Sequence, residues 1–397
     1  MPKKVQLAKK FKRTSIAIVC DPITDYMAGS FVSTLRFSEL LVEKGHKIIF
    51  IAAKSPRSKD NDKHKNIKVY RFRSVLLPKT EKKFYLALPT VGQLKKIFQA
   101  EKIEVVHTII PTPAAMIAIK AAQALKLKIV VHSHTQPENV FLHLPKVLAR
   151  DMLSSVFQKY IFWFNQQAHA VIYPTKFAQN LFPPMNLAAQ HVVISNGVNL
   201  AKFKKTDTKE LFKKFQLPRG TLNVLFVGRL HPEKSVDTLI KSIPLVLRRQ
   251  KNVHFLIVGF GHMDNQLKNL AKKIGVSDQV TFFDEVSNED LLMAYNVCDI
   301  FVLPSLAELE GMVVLEAMAC GKPIIIANSI NSASTYFVEG NGFLFEPENE
   351  KDLARKTLKL LTDAKLRKKM GAVSLKKSRD YDIHHSVAKL EEVYYSV

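Results

Sequence analysis

PSLAELEGMVVLEAMACGKP, residues 304–323, decides how this 397-residue chain is read. Glu308 and Glu316 stand in it with seven residues between them. Asp299 to Leu303, just before it, is an apolar run of strand length. Val313 to Cys320 is rich in good helix formers, and Gly321 followed by Pro323 ends it. Strand, glycine-containing turn and helix is the arrangement that aims free backbone N–H groups at an anion. Glu308 is expected at the lip of the turn. Glu316 is expected one helical turn in, with its carboxylate free to take hydroxyl protons from a sugar or ribose. The competing reading makes both glutamates solvated charges, because glutamate is common on surfaces. The flanking sequence decides between the two.

Outward from this stretch the chain keeps an α/β rhythm. On its N-terminal side, strands are expected at Asn223–Val227, His254–Val258, Val280–Phe283 and Ile300–Leu303, separated by helices at Val236–Arg249, Asp264–Ile274 and Asn288–Val297. A further strand, Pro323–Ala327, follows it, and helices fill 350–362, 364–378 and 384–396. The first half has the same rhythm. Ser15–Cys20, a loop holding Gly29, a helix from Phe31 to Lys44 and Lys47–Ala52 begin a doubly wound sheet. Val105–Thr108, Lys128–His132, Ala170–Tyr173 and His191–Ile194 continue it, with a helix from Ala114 to Leu125. Residues 54–73 read as a charged loop. The expected domains are 1–200, with residues 1–13 a basic arm, and 201–380. Residues 381–397 form a last helix packing back on the first domain. The linker is expected between Val198 and Lys205, and a helix around Lys209–Phe215.

Composition narrows the function. The chain carries 59 lysines and arginines against 35 aspartates and glutamates, a net charge of +24. Residues 1–200 hold 30 of those bases and only 11 of the acids. A basic half points to nucleic acid, an anionic membrane face or an acidic substrate, or else to a general lysine bias. No nucleic-acid-binding motif supports the first. No stretch has the ~18–20 uninterrupted apolar residues of a membrane span, and Ser15–Cys20 is too short for a signal-peptide core. Cys20, Cys298 and Cys320 lie far apart and read as core thiols in a reducing compartment.

Further segments carry chemistry. Gly228-Arg229-Leu230-His231-Pro232-Glu233-Lys234 follows a strand and precedes a helix. Cations at a helix start are unfavourable without an anion, and an arginine fork with a mobile lysine suits a diphosphate. Gly259-Phe260-Gly261 also follows a strand, but an ordinary tight turn explains it equally well. Gly29 lies in the first strand-to-helix loop, either as a plain loop glycine or where backbone must approach a ligand. His134 follows a strand and is placed to hydrogen-bond a sugar hydroxyl and to stabilise developing charge, whereas His132 reads as a core histidine. Residues 141–167 interleave apolar residues with Lys146, Arg150 and Lys159, in the manner of a basic amphipathic helix on an anionic bilayer or of a helix packing on its own sheet.

These motifs resemble the retaining glycosyltransferases of the family 4 type. Pro304-Ser305, Glu308, Glu316, Ala317-Met318-Ala319, Gly321 and Pro323 follow that family's order of Pro-Ser, Glu-x7-Glu and Ala-Met-Ala-x-Gly-x-Pro. Gly228 to Lys234 is similar to its Gly-Arg-Leu-x-x-Glu-Lys-Gly motif, with Ser235 where glycine is usual; serine is small, so little consequence is expected. Phe282 to Val286 resembles a segment whose backbone holds the base, with Asp284 in place of a glycine. Ala28-Gly29 stands where the family often has two glycines, and His134 aligns with its single histidine. Ser133 to Asn139 looks like the members that glucosylate diacylglycerol.

The resemblance implies an α/β fold of two Rossmann-like doubly wound domains facing across a cleft, called GT-B. It implies transfer of a hexose from a nucleotide diphosphate sugar with retained anomeric configuration. The donor site would comprise Gly29, Gly228, Arg229, Lys234, Val286, Glu308, Gly311, Met312, Val313 and Glu316. Arg229, Lys234 and the amides of Met312 and Val313 would neutralise the leaving diphosphate. Glu316 would hold the ribose, and Glu308 and His134 would position the sugar. No resident cofactor and no metal is expected. The donor is expected to be UDP-glucose. The acceptor is expected to be diacylglycerol on the cytoplasmic face of the membrane, to which a cytoplasmic protein binds peripherally. A phosphatidylinositol, polyprenyl-linked or polysaccharide acceptor stays open, as does a nucleotide-sugar epimerase on the same scaffold. A catalytically silent membrane-binding relative would have lost Arg229, Lys234 or Glu316, and all three are present.

Overall fold

A computed structural model gives the architecture of residues 13–23, 29–56, 58, 63–77, 84–135, 148–181, 188–206, 217, 220–284 and 286–397. The expected basic arm before Arg13, the helix around Lys209–Phe215, Lys146 and Glu285 lie outside the described residues.

Two open sheets form, one in each half. The first orders its strands Gln190–Val193, Ala170–Tyr173, Lys128–His132, Val105–Thr108, Ser15–Val19, Lys47–Ala53, Ile67–Phe72 and Lys63–His64. Every pairing in it is parallel except the last. The second orders Val280–Phe283, Val253–Val258, Leu222–Val227, Ile300–Leu303, Ile324–Ala327 and Gly342–Phe345, all parallel. Their central strands are continuous apolar runs, as strands covered by helices on both faces are. All six residues of Val253–Val258 are buried, for example. These are two Rossmann-like sheets of the GT-B type.

Strand order reverses once in each sheet. In the second sheet the reversal falls between Leu222–Val227 and Ile300–Leu303. The loops leaving these neighbouring strands run to opposite faces, which opens a crevice beyond the strand ends. Those loops begin at Gly228 and Pro304, so topology brings the two motifs together. In the first sheet the reversal lies between Ser15–Val19 and Val105–Thr108, and the loop leading to Gly29 follows the former.

The helix Ile383–Ser396 packs on the first sheet. Ile383, Val387, Leu390, Val393 and Tyr394 share one core with Ile16, Ile18 and Phe50. Glu391 anchors it by accepting from Lys44 at 2.6 Å and meeting His46 Nε2 at 3.0 Å. Where the chain passes between halves, Val198 N–H donates to Tyr381 O at 2.8 Å and Ile383 N–H to Val198 O at 3.1 Å.

Two readings need correction. Residues 54–73 are not a loop throughout: Ile67–Phe72 pairs in parallel with Lys47–Ala53. Lys68 and Arg71 disguise it, while Ile67, Val69 and Phe72 point into the core. The helix Leu148–Asn165 is neither wholly internal nor wholly superficial. Ile161 and Phe164 are buried in the core, whereas Met152, Val156 and Trp163 are exposed.

Candidate active site

The loop after Leu222–Val227 is held by its neighbour. Gly228 N–H donates to Val258 O at 3.0 Å, Leu230 N–H to Phe260 O at 2.8 Å, and Met263 N–H to Leu230 O at 3.1 Å. A Cβ on Gly259 would lie 1.8 Å from Gly228 O, and one on Gly261 would lie 2.3 Å from Leu230 O. Gly259-Phe260-Gly261 is therefore glycine-rich because two backbones touch there. Its sequence alone leaves that open.

The loop continues through Pro232–Lys234, a single 3-10 turn. Arg229 Nη2 donates to Glu233 Oε1 at 3.1 Å, and Lys234 Nζ donates to Glu308 Oε1 at 2.6 Å. Leu306 N–H donates to Glu233 O at 2.7 Å. These bonds tie the first motif to the second. Neither cation is consumed by one carboxylate: an ammonium has three donors and a guanidinium five. Ser235 corrects the expectation of little consequence. Its φ is +48°, so the position calls for glycine because of backbone conformation rather than size. Ser235 Oγ meets Thr238 Oγ1 at 2.8 Å, a contact glycine could not make.

Glu308 lies in the short strand Ala307–Glu308, which pairs with Asn331–Ser332. Gly311 precedes the helix Met312–Ala319 with φ +92° and no side-chain cap. A Cβ there would sit 2.2 Å from Ser334 Oγ. The start of the helix leaves Met312 and Val313 amides for an anion. The other half reaches this point: a Cβ on Gly29, first residue of the helix Gly29–Glu43, would lie 3.7 Å from Met312 Sδ.

Glu316 differs from its expected state. Its carboxylate is not free: Oε1 accepts from Arg36 Nη2 at 2.8 Å, and Oε2 from Tyr295 Oη at 2.9 Å. Arg36 belongs to the first half, 280 residues away, so nothing local in the sequence reveals the pair. Glu310 is a second residue that the motif reading passes over. It is buried, its Oε1 accepts from Ser195 Oγ, and its Oε2 accepts from Asn196 N at 3.0 Å and Asn196 Nδ2 at 2.7 Å. Burial pushes its carboxyl up to about 7.

His134 sits in the first half, in the wall of a cavity shared with His132, Ser133, Phe164 and Asn165. Its ring stacks on His132 with centroids 4.0 Å apart. Burial lowers its pKa to about 4, so it is neutral at physiological pH. As a neutral imidazole it can exchange hydrogen bonds with a hydroxyl, and any charge it stabilises is met by a ring N–H rather than by a cation. Val286 packs against the core of the second half, and Asp284 turns to Lys268 at 3.2 Å. Neither joins the Lys234–Glu308 cluster through a described contact. Among the described residues, no group of three or more His, Cys, Asp or Glu side chains could hold a metal ion.

Residues 27–202 match the model of Glycosyltransferase Family 4, and residues 207–376 match that of Glycosyl transferases group 1. The chain belongs to the family 4 glycosyltransferases. It is therefore a transferase, with the two halves of the GT-B fold accounted for by the two models. Among its relatives, alpha-monoglucosyldiacylglycerol synthase of Streptococcus pneumoniae is 24% identical over 319 residues, covering 78% of this chain and 70% of that one. Among solved structures, sucrose-phosphate synthase from Thermosynechococcus elongatus superposes with a TM-score of 0.81 at 20% identity, covering 97% and 99%. Anabaena HepE in complex with UDP and glucose superposes at 0.76 with 17% identity, covering 97% and 100%.

Proposed function

We propose that this glycosyltransferase moves glucose from UDP-glucose to diacylglycerol or a related glycolipid at an anionic membrane face, with retained anomeric configuration. The observation that carries the donor half is the meeting of Lys234, Glu308 and the uncapped helix start at Gly311 in the crevice of the second sheet. There Arg229, Lys234 and the Met312 and Val313 amides neutralise the departing diphosphate as its charge grows. Glu316 takes the ribose, Glu308 orients the sugar, and neutral His134 hydrogen-bonds one of its hydroxyls from the opposite half. Gly29 and Gly228 let backbone come close to the donor, and Val286 lies toward the base. No metal is called on, because cations and amides cover the leaving charge.

UDP as the donor nucleotide is supported by the complex that a structural neighbour forms with UDP and glucose. The lipid acceptor is supported by the name of the streptococcal relative and by apolar side chains turned to solvent on the basic half. Met152, Val156 and Trp163 on the helix Leu148–Asn165 are exposed, and so are Val75, Leu76, Leu77 and Leu88 around the hairpin Ser74–Leu76/Tyr85–Ala87. No helix among the described residues is long and apolar enough to cross a membrane, so contact would be peripheral. Incubation with radiolabelled UDP-glucose, UDP-galactose and GDP-mannose, each with diacylglycerol vesicles, tests the reading. Label from UDP-glucose in the chloroform-soluble glycolipid is expected. Transfer only to a water-soluble acceptor, or from GDP-mannose alone, overturns it.

A further inference from the structure

We infer that Arg36 and Glu316, one from each half of the chain, read the vicinal diol of the donor ribose together. The inference rests on the reading of Glu316 as the ribose carboxylate. An ionised carboxylate offers about four lone-pair positions. Arg36 Nη2 occupies one on Oε1 and Tyr295 Oη one on Oε2, at 2.8 and 2.9 Å. One position is left on each oxygen, which suits two neighbouring hydroxyl groups.

Arg36 supplies what Glu316 lacks. A ribose hydroxyl accepts as well as donates. Arg36 Nη1 is buried and has no hydrogen-bond partner in the protein. A simple latch between the halves would account for Nη2 on Glu316 but not for this second donor. Buried donors are almost always satisfied, so an unsatisfied one needs a reason. The fixed fork of a guanidinium places Nη1 beside the carboxylate that Nη2 grips. The Phe203 ring, its centroid 5.3 Å from Cζ, steadies the group, and the pair is recessed, with side chains 15% and 5% exposed. The same helix presents Gly29 to Met312, so Gly29–Glu43 faces the donor helix at two points. Arg36 is thus a specificity-determining residue that ties the first half of the chain to the nucleotide.

Isothermal titration with UDP, GDP and ADP and the 2′-deoxy form of each tests this on the full chain. The wild type is expected to bind a ribonucleotide at least ~10-fold more tightly than its deoxy form, the scale of one charge-assisted hydrogen bond. Arg36→Ala should weaken ribonucleotide binding and cut that preference to within about threefold. Arg36→Lys, which keeps the charge but loses the fork, should fall between and serves if the alanine variant does not fold. Equal affinity and undiminished preference in both variants overturns the inference. If Glu316→Ala nevertheless loses the preference, the ribose role of Glu316 survives without Arg36. A wild type that binds a nucleotide without preferring ribose, or binds none, overturns both readings.

Discussion

Replacing Glu310 with glutamine should make the protein more stable, and only above acidic pH. Burial is the leading cause of the rise in this carboxyl's pKa from 4.5 to about 7, against three hydrogen bonds that pull it down. Below pH 4.5 both the folded and the unfolded chain hold the proton, and nothing is lost. As pH rises from 4.5 to 7 the unfolded chain releases it while the folded chain keeps it, so stability falls. Above about 7 both forms are ionised and the loss levels off near ~3 kcal/mol. Glutamine fits the same partners. Its amide oxygen can stand at Oε2 and keep both Asn196 bonds. Its amide nitrogen, at Oε1, donates to the Ser195 hydroxyl, which can accept. Urea denaturation of wild type and Glu310→Gln at pH 5, 6, 7 and 8 reads the difference, and groups common to both chains cancel. The variant's advantage should be small at pH 5 and approach ~3 kcal/mol at pH 8. A difference that does not change with pH, or that shrinks as pH rises, refutes the reasoning.

Arg229→Ala and Lys234→Ala should each lower turnover at least ~100-fold if they cover leaving-group charge; near-normal rates remove them from that task. Because burial holds His134 neutral above about pH 4, the ratio of wild-type to His134→Gln turnover should stay constant from pH 5.5 to 8. A ratio that steps near pH 6.5 would mean that its charged form does the work. Serine at Met152, Val156 and Trp163 together removes apolar surface that is already exposed. Binding to anionic vesicles in a flotation assay should drop at least ~10-fold with little change in melting temperature. Undiminished flotation, or equal wild-type binding to neutral vesicles, counts against membrane contact through this helix.

Much of the frame is legible in the sequence because its signals are local. Continuous apolar runs mark the buried parallel strands, and the helices 350–362 and 364–378 carry their own boundaries in Asn349, a cap, and Asp363, a cap and a stop. The strand Ile67–Phe72 escapes because Lys68 and Arg71 interrupt its apolar residues. Of the site, the cationic loop and the Glu-x7-Glu segment are legible because each lies within about twenty residues of chain. Arg36 and Glu310 are not, since their partners lie 280 and 114 residues away. Ser235 shows a third kind of limit. A residue's size is written in the sequence, whereas the sign of φ at its position is not.

The hydrogen bond from Val198 to Tyr381 has a practical consequence. The second half enters and leaves the first at neighbouring points, joined by one backbone hydrogen bond of 2.8 Å. It is in effect a cassette set into a host that is completed only by the final helix. A chimaera built with a single splice near residue 200 would borrow that helix from the wrong parent and leave Ile16, Ile18 and Phe50 facing a foreign surface. Exchange of one half between relatives needs two cuts, made at these adjoining segments of backbone.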